Sequence, residues 1–214
     1  MKWFRDRGAA TATSAPAAEG APPEPEVHPS LALPDLLHQL HPDRRLRILD
    51  LGPAVGANLD FLAALYPCTV QVADLYPSLA ETGAGDPAAA IAAALPPAAT
   101  QEPSLDLVLA WNLLDYLDRE RIRSLAAHLA RRCRPGALLF AMIGTRPEIP
   151  REPGSFVIRD PESLVYRQDP TRTRPGYRYR PRDIAGLTPG FNTDRNFLLR
   201  HGVQEYLLQR EEDG

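Results

Sequence analysis

Apolar positions along the chain follow two periods, one helical and one extended. Leu31, Leu33, Leu36, Leu37 and Leu40 recur at helical spacing and stop before Pro42, which predicts a short amphipathic helix. Residues 45–51 (RLRILDL) read as a strand, followed by Gly52 and the loop Pro53-Ala54-Val55-Gly56. Residues 57–66 carry Leu59, Leu62 and Leu65 at helical spacing. Residues 68–73 (CTVQVA) are β-branched enough for a second strand, ending at Asp74. Strand, glycine loop, helix, strand is the opening of a parallel α/β sheet. The alanine-rich residues 87–95 predict a helix, and no third strand pattern stands out between 78 and 102. Residues 105–111 (LDLVLAW) are apolar on both faces, as a buried central strand requires. Asp118 caps a helix with Ile122, Leu125, Ala126, Leu129 and Cys133 on one face, and Arg134-Pro135-Gly136 stops it. Residues 137–143 (ALLFAMI) are another buried strand.

From 144 to 181 the rhythm breaks. Residues 156–158 and 164–166 predict a short hairpin around Asp160-Pro161, with an exposed edge open to pairing, and residues 182–186 a short helix. Residues 191–199 and 203–209 form two strands joined at Arg200-His201-Gly202, a turn short enough to make them antiparallel neighbours. No internal repeat is evident.

Composition changes this picture mainly at the N-terminus. Residues 8–30 are Ala, Pro, Glu, Thr and Ser with almost no large apolar side chain, too little to offset the entropy of ordering. The reading is a disordered Pro/Ala-rich tail over 1–29 and one domain over 30–214. Net charge is -3, so bulk electrostatics draw the chain to neither nucleic acid nor membranes. No stretch approaches the ~20 apolar residues of a membrane span, and no apolar run follows the basic first residues as a signal peptide needs. Cys68 and Cys133 sit in apolar contexts and read as small buried side chains. These features fit a cytoplasmic protein. No His/Cys/Asp cluster has metal-ligand spacing. Lys2 is the only lysine, so arginine is the default cation here and its abundance carries little weight.

Two places carry chemistry. Asp50-Leu51-Gly52-Pro53-Ala54-Val55-Gly56 lies between a strand and a helix, where α/β sheets bind ligands, and glycine lets the backbone come close. Asp74 ends the second strand, where a carboxylate can accept two hydrogen bonds from ribose hydroxyls. Leu75 and Tyr76 follow and are placed to cover an adenine face. The bland alternatives are a tight turn and a helix-capping carboxylate. Taken together the two places favour a nucleoside site.

Leu49-Asp50-Leu51-Gly52, Gly56, Asp74, the strand ending in Trp111-Asn112, the Arg134-Pro135-Gly136 turn and the closing hairpin resemble the class I S-adenosylmethionine (SAM)-dependent methyltransferases, over roughly residues 44–212. The resemblance implies a Rossmann-like α/β fold, with a mostly parallel sheet, helices on both faces and a C-terminal antiparallel hairpin. In that family the sheet has seven strands, the last antiparallel. It implies SAM as cofactor, with Asp50, Gly52 and Gly56 under its methionine part, Asp74 and Leu75 at the nucleoside, and Asn112 beside the methyl group and substrate.

The chain departs from the family pattern. The usual loop is acidic-x-Gly-x-Gly-x-Gly; here Ala54 replaces the middle glycine, and Pro53 removes an amide donor. The Asn-Pro-Pro-Tyr motif of amide methyltransferases is replaced by Asn112-Leu113-Leu114-Asp115. A dinucleotide-binding dehydrogenase needs Gly-x-Gly-x-x-Gly and a P-loop needs Gly-Lys, and neither is present. Two functions follow: methyl transfer to an unidentified acceptor, or a non-catalytic methyltransferase-like binding or scaffolding protein.

Methyl transfer needs mainly alignment, so a base is optional. Asn112, Asp115 and Tyr116 are the substrate-side candidates; the bland reading packs Tyr116 in the loop and leaves Asp115 solvated. His128 reads as surface or interface, His201 as exposed in the closing turn, and His28 as preceding the core. Residues 166–182 interleave arginines with Tyr177 and Tyr179, the weaker case for nucleic-acid contact; a lid or a docking edge for a partner protein are the other readings.

Overall fold

The strands that read as apolar on both faces lie at the centre of the main sheet. The computed structural model describes residues 26–41, 43–81, 85–98, 103–169 and 171–212. In chain order it holds β1 (Glu26–Pro29), α1 (Ala32–Gln39), β2 (Leu46–Asp50), α2 (Gly56–Leu65), β3 (Cys68–Val72), α3 (Leu75–Glu81), α4 (Pro87–Ala94) and β4 (Leu105–Trp111). A 3-10 turn (Leu113–Tyr116) leads to α5 (Arg119–Ala130), β5 (Cys133–Gly144), β6 (Glu148–Pro150), β7 (Ser155–Asp160) and β8 (Ser163–Arg167). β9 (Thr173–Pro175), α6 (Pro181–Leu187), β10 (Phe191–Leu198) and β11 (Val203–Arg210) complete the chain.

The main sheet has six strands in the order β10-β11-β5-β4-β2-β3. β3, β2, β4 and β5 pair in parallel, while β11 is antiparallel to both β5 and β10. The closing hairpin is therefore as the sequence predicts, and β11 alone runs against the sheet. Alternate residues of each central strand feed two cores, as the two-residue period dictates. Val108, Ala110, Leu139 and Ala141 face α4, α5 and α6 through Ile91, Leu125 and Ile184. Leu107, Leu109, Phe140 and Met142 face α1, α2 and the strands β7 and β8 through Leu36, Leu62, Phe156 and Leu164. Glu205 is buried on β11 and accepts from the N–H groups of Leu31 (2.8 Å) and Ala32 (2.9 Å), fastening the start of α1 to the sheet.

Several expectations change. Glu26–Pro29, placed in the tail by composition, is a strand paired antiparallel with β8. Pairing satisfies its backbone and covers the β8 edge of the predicted hairpin, giving a three-stranded sheet β1-β8-β7. Residues 1–25 lie outside the described residues. The helix after Asp118 ends at Ala130, and Arg134-Pro135-Gly136 falls inside β5, with Gly136 at φ +78°. Cys133 thus packs from a strand, where burial pushes its thiol up to about 12; Cys68 is only half-buried. The main sheet has six strands among the described residues, and between β3 and β4 the described residues form α3 and α4, in keeping with the lack of a third strand pattern between 78 and 102. No helix of the described residues is long and apolar enough to cross a membrane.

Candidate functional site

The C-terminal ends of β2, β3, β4 and β5 bring the sequence candidates to one end of the sheet. Asp50 closes β2, and its Oδ1 accepts from the N–H of Gly52 (3.0 Å) and from Nε1 of Trp111 (2.7 Å). Burial raises its carboxyl to about 6, against the pull of those two donors. Gly52 is crowded: a Cβ there would stand 2.7 Å from Cδ1 of Trp111. Gly56, at the other end of the loop, has nothing within 4 Å of the same position.

Asp74 follows β3 and is exposed, with its carboxylate accepting from the N–H of Tyr76. It therefore caps the start of α3 and keeps oxygen lone pairs free for solvent or ligand. Partial burial pushes its carboxyl up. Leu75, expected against an adenine, is instead buried in the core, because α3 turns that side chain onto Leu51 and its neighbours. Tyr76 reaches the other way, donating to the carbonyl of Arg151 (3.3 Å) and meeting the edge of Tyr116 at 5.2 Å between centroids.

Trp111 dominates the centre. It is the sole non-glycine of the described residues with a left-handed φ (47°). The pairing of β4 with β5 is irregular at this point. The strained backbone turns the indole back over Gly52 and Asp50, and Phe156 of β7 stacks on it at 5.6 Å and 12°. Asn58 holds β7 there: its Nδ2 donates to the Phe156 carbonyl and its Oδ1 accepts from the Ile158 N–H, both at 2.7 Å.

Beyond Trp111, Asn112 is buried at the start of the 3-10 turn. Asp115 is 4% exposed, not solvated, and both its oxygens accept from the N–H of Gly144 (3.1 and 3.0 Å). Burial raises its carboxyl to about 7. Tyr116 shares its hydroxyl proton between the carbonyls of Pro150 (3.0 Å) and Glu152 (2.9 Å), so it clamps residues 150–152 over the site. Asn112 and Asp115 line one cavity with Phe156 and Tyr166; Asp50, Gly52 and Asp74 stand outside that lining.

The histidines also move from their expected places. His201 is half-buried and stacks on His28 at 4.0 Å, while His128 bonds the Ser124 carbonyl on its own helix (2.8 Å). In the arginine-tyrosine segment, the Tyr179 hydroxyl donates to the Leu117 carbonyl, and Arg119 lies 5.5 Å over its ring while pairing with Asp183 (2.9 Å). Tyr177 is the exposed ring of that segment. No group of His, Cys, Asp and Glu among the described residues could hold a metal ion.

Sequence reading gave Trp111, Phe156, Asn58 and His28 no role here. Asn58 left a signal: it is a polar residue four positions before Leu62 on the helix's apolar face. The other three arrive through strand pairing and register, which local pattern does not encode.

No family model matches the chain, and no curated protein matches it. Solved structures do. A SAM-dependent methyltransferase from Methanosarcina mazei is 11% identical, covers 84% of this chain and 98% of its own, and has a TM-score of 0.50. A SAM-bound amino pentose methyltransferase from Micromonospora echinaspora, involved in calicheamicin biosynthesis, is 17% identical, covers 84% and 89%, and scores 0.51. The 1,6-didemethyltoxoflavin-N1-methyltransferase of Burkholderia thailandensis, with 1,6-didemethyltoxoflavin and S-adenosylhomocysteine bound, is 14% identical, covers 85% and 78%, and scores 0.51. With a parallel sheet closed by one antiparallel strand, and with these overlaps, the chain has the Rossmann-like fold of the class I SAM-dependent methyltransferases.

Proposed function

We propose that this chain is a SAM-dependent methyltransferase acting on an acceptor still to be identified. The carrying observation is the pair of carboxylates at the ends of the adjacent parallel strands β2 and β3, with Asp74 exposed and the loop open at Gly56. Asp74 takes the ribose, Asp50 and the Gly52–Gly56 loop underlie the methionine part, and Asn112 and Asp115 stand on the acceptor side. Bound SAM supplies an electrophilic methyl group, and the protein's part is alignment and exclusion of water. The residues fit the group at the nucleoside end. At the methionine end Asp50 and the Gly52–Gly56 loop would hold the cofactor, and the Trp111 indole stands against Gly52 and bonds Asp50 there.

That indole also favours a second reading, a methyltransferase fold that binds or scaffolds without catalysis. Calorimetric titration of SAM and S-adenosylhomocysteine into the protein separates the two. The methyltransferase reading expects saturable binding that Asp74→Ala weakens about tenfold or more, the loss of hydrogen bonds to a charged group. No heat and no thermal stabilisation at millimolar ligand would reject it in favour of the second.

A further inference from the structure

Positive charge gathers at one place on this molecule. A cavity of about 570 Å³ opens between the end of β5, the start of α5 and the segment 178–183 that leads into α6. Four arginines line it, Arg119 from α5 and Arg178, Arg180 and Arg182 from the segment. A single carboxylate lines it, Asp183, and that one is ion-paired with Arg119 (2.9 Å). Arg178, Arg180 and Arg182 are exposed and form no ion pair among the described residues.

The acids around the rim do not cancel this excess. Asp118 pairs with Arg121 (3.9 Å), Glu120 stands between Arg119 and Arg121 in the chain, and Asp115 lies behind Gly144 with its carboxyl raised to about 7. Arg123 adds a cation beside α6, its Nε donating to the Gly186 carbonyl (3.2 Å). With these flanking groups included, six arginines face four carboxylates, of which Asp115 is partly neutral at pH 7. The excess is local, because the whole chain has a net charge of -3. A patch of this kind concentrates anions.

Rings stand between the cations. Tyr179 lines the cavity, with its hydroxyl donating to the Leu117 carbonyl and Arg119 at 5.5 Å over its ring. Tyr177 is 42% exposed and lies nearly parallel to Tyr179, with 6.4 Å between centroids and 19° between planes. An exposed ring fixed beside guanidinium groups offers a stacking face next to partners for phosphate, the pairing that single-stranded nucleic acids use. A small inorganic anion would leave Tyr177 without a part, and a duplex keeps its base faces stacked inside.

From the arginine excess and the exposed ring in one groove, we infer that Arg119 and residues 177–182 bind a single-stranded nucleic acid, with its phosphates on the arginines and a base on Tyr177. Gly144 lines this groove and also the cavity that holds Asn112 and Asp115, so the strand passes beside the proposed acceptor side. Calling the strand the methyl acceptor rests on the methyltransferase reading; the binding itself does not.

The test is fluorescence anisotropy on the full chain without cofactor, using labelled oligothymidylate and oligouridylate of about 12 nucleotides and a duplex of the same length. At least one strand is expected to saturate below about 100 µM, with the duplex at least about fivefold weaker, and the better strand tells DNA from RNA. Arg178→Ala combined with Arg180→Ala is expected to weaken that strand about tenfold or more and to lower the slope of log affinity against log salt by about one. Tyr177→Ala is expected to weaken it about fivefold or more and to leave the salt slope unchanged. Arg159→Ala, on β7 outside this groove, is expected to change it less than about twofold. Thermal melting confirms that the variants are folded. No saturable binding of either strand, a duplex bound as tightly, unchanged affinity in the double arginine variant, or an equal loss in Arg159→Ala overturns the inference. So does unchanged affinity in Tyr177→Ala, which would mean attraction of any polyanion. S-adenosylhomocysteine titrated separately reports on the cofactor site, so the two readings fail independently.

Discussion

Gly52 and Gly56 close the two ends of one loop and stand in opposite surroundings. Gly52 is buried under the Trp111 indole, while Gly56 is exposed and opens to free space. The same residue type serves close packing at one end and access at the other. A glycine-rich loop after a strand therefore does not by itself place a ligand; the side chain delivered from β4 decides how much of the loop is open.

The largest effect is expected from Trp111→Ala. It removes a buried ring stacked on Phe156 and the donor to Asp50, and should cost about 3–5 kcal/mol in urea unfolding. If the indole screens the methionine end, the same variant binds S-adenosylhomocysteine more tightly than wild type; weaker binding would make Trp111 part of the cofactor site.

Asp115 gives the next effect, through pH. Its carboxyl is raised to about 7 from an ordinary value of 3.8, so the folded chain holds a proton that the unfolded chain releases. That contribution is full at low pH and is lost as pH rises through 7. Asp115→Asn keeps an oxygen for the Gly144 N–H and removes the titration. Its stability relative to wild type is expected to rise by a few kcal/mol, in order of magnitude, between pH 4 and pH 8, read from denaturant midpoints. An unchanged difference would mean that the carboxyl titrates normally.

Gly52→Ala is expected to cost about 1–3 kcal/mol, because its Cβ collides with a ring packed on both sides. Gly56→Ala sharpens the contrast. It begins α2 in open space and is expected to be neutral, or to stabilise by up to about 1 kcal/mol. Equal costs at the two glycines would remove the distinction on which the comparison stands. Asp74→Ala is the smallest in stability, within about 1 kcal/mol for an exposed cap, whatever it does to binding.

Much of the fold was legible because its signals are local. The alternating cores of β4 and β5, the Asp118 cap and the closing hairpin follow from periodicity, capping and turn length. The Glu26–Pro29 strand was not legible, since its four residues have no apolar alternation and gain structure only by pairing with β8. Arg134-Pro135-Gly136 carries stop signals that suit a helix end, yet the chain enters β5 before reaching them.

At the site, the sequence by itself determined that Asp50, Gly52, Gly56 and Asp74 would meet at the ends of parallel strands, because strand, loop and helix lengths are local properties. Only the tertiary structure decided that Trp111 would lie on Gly52, that Leu75 would turn into the core, and that His28 would meet His201 across 173 positions of chain. Those contacts depend on register, on one left-handed backbone angle and on a strand added from the far end of the sequence, and none of these leaves a periodic trace.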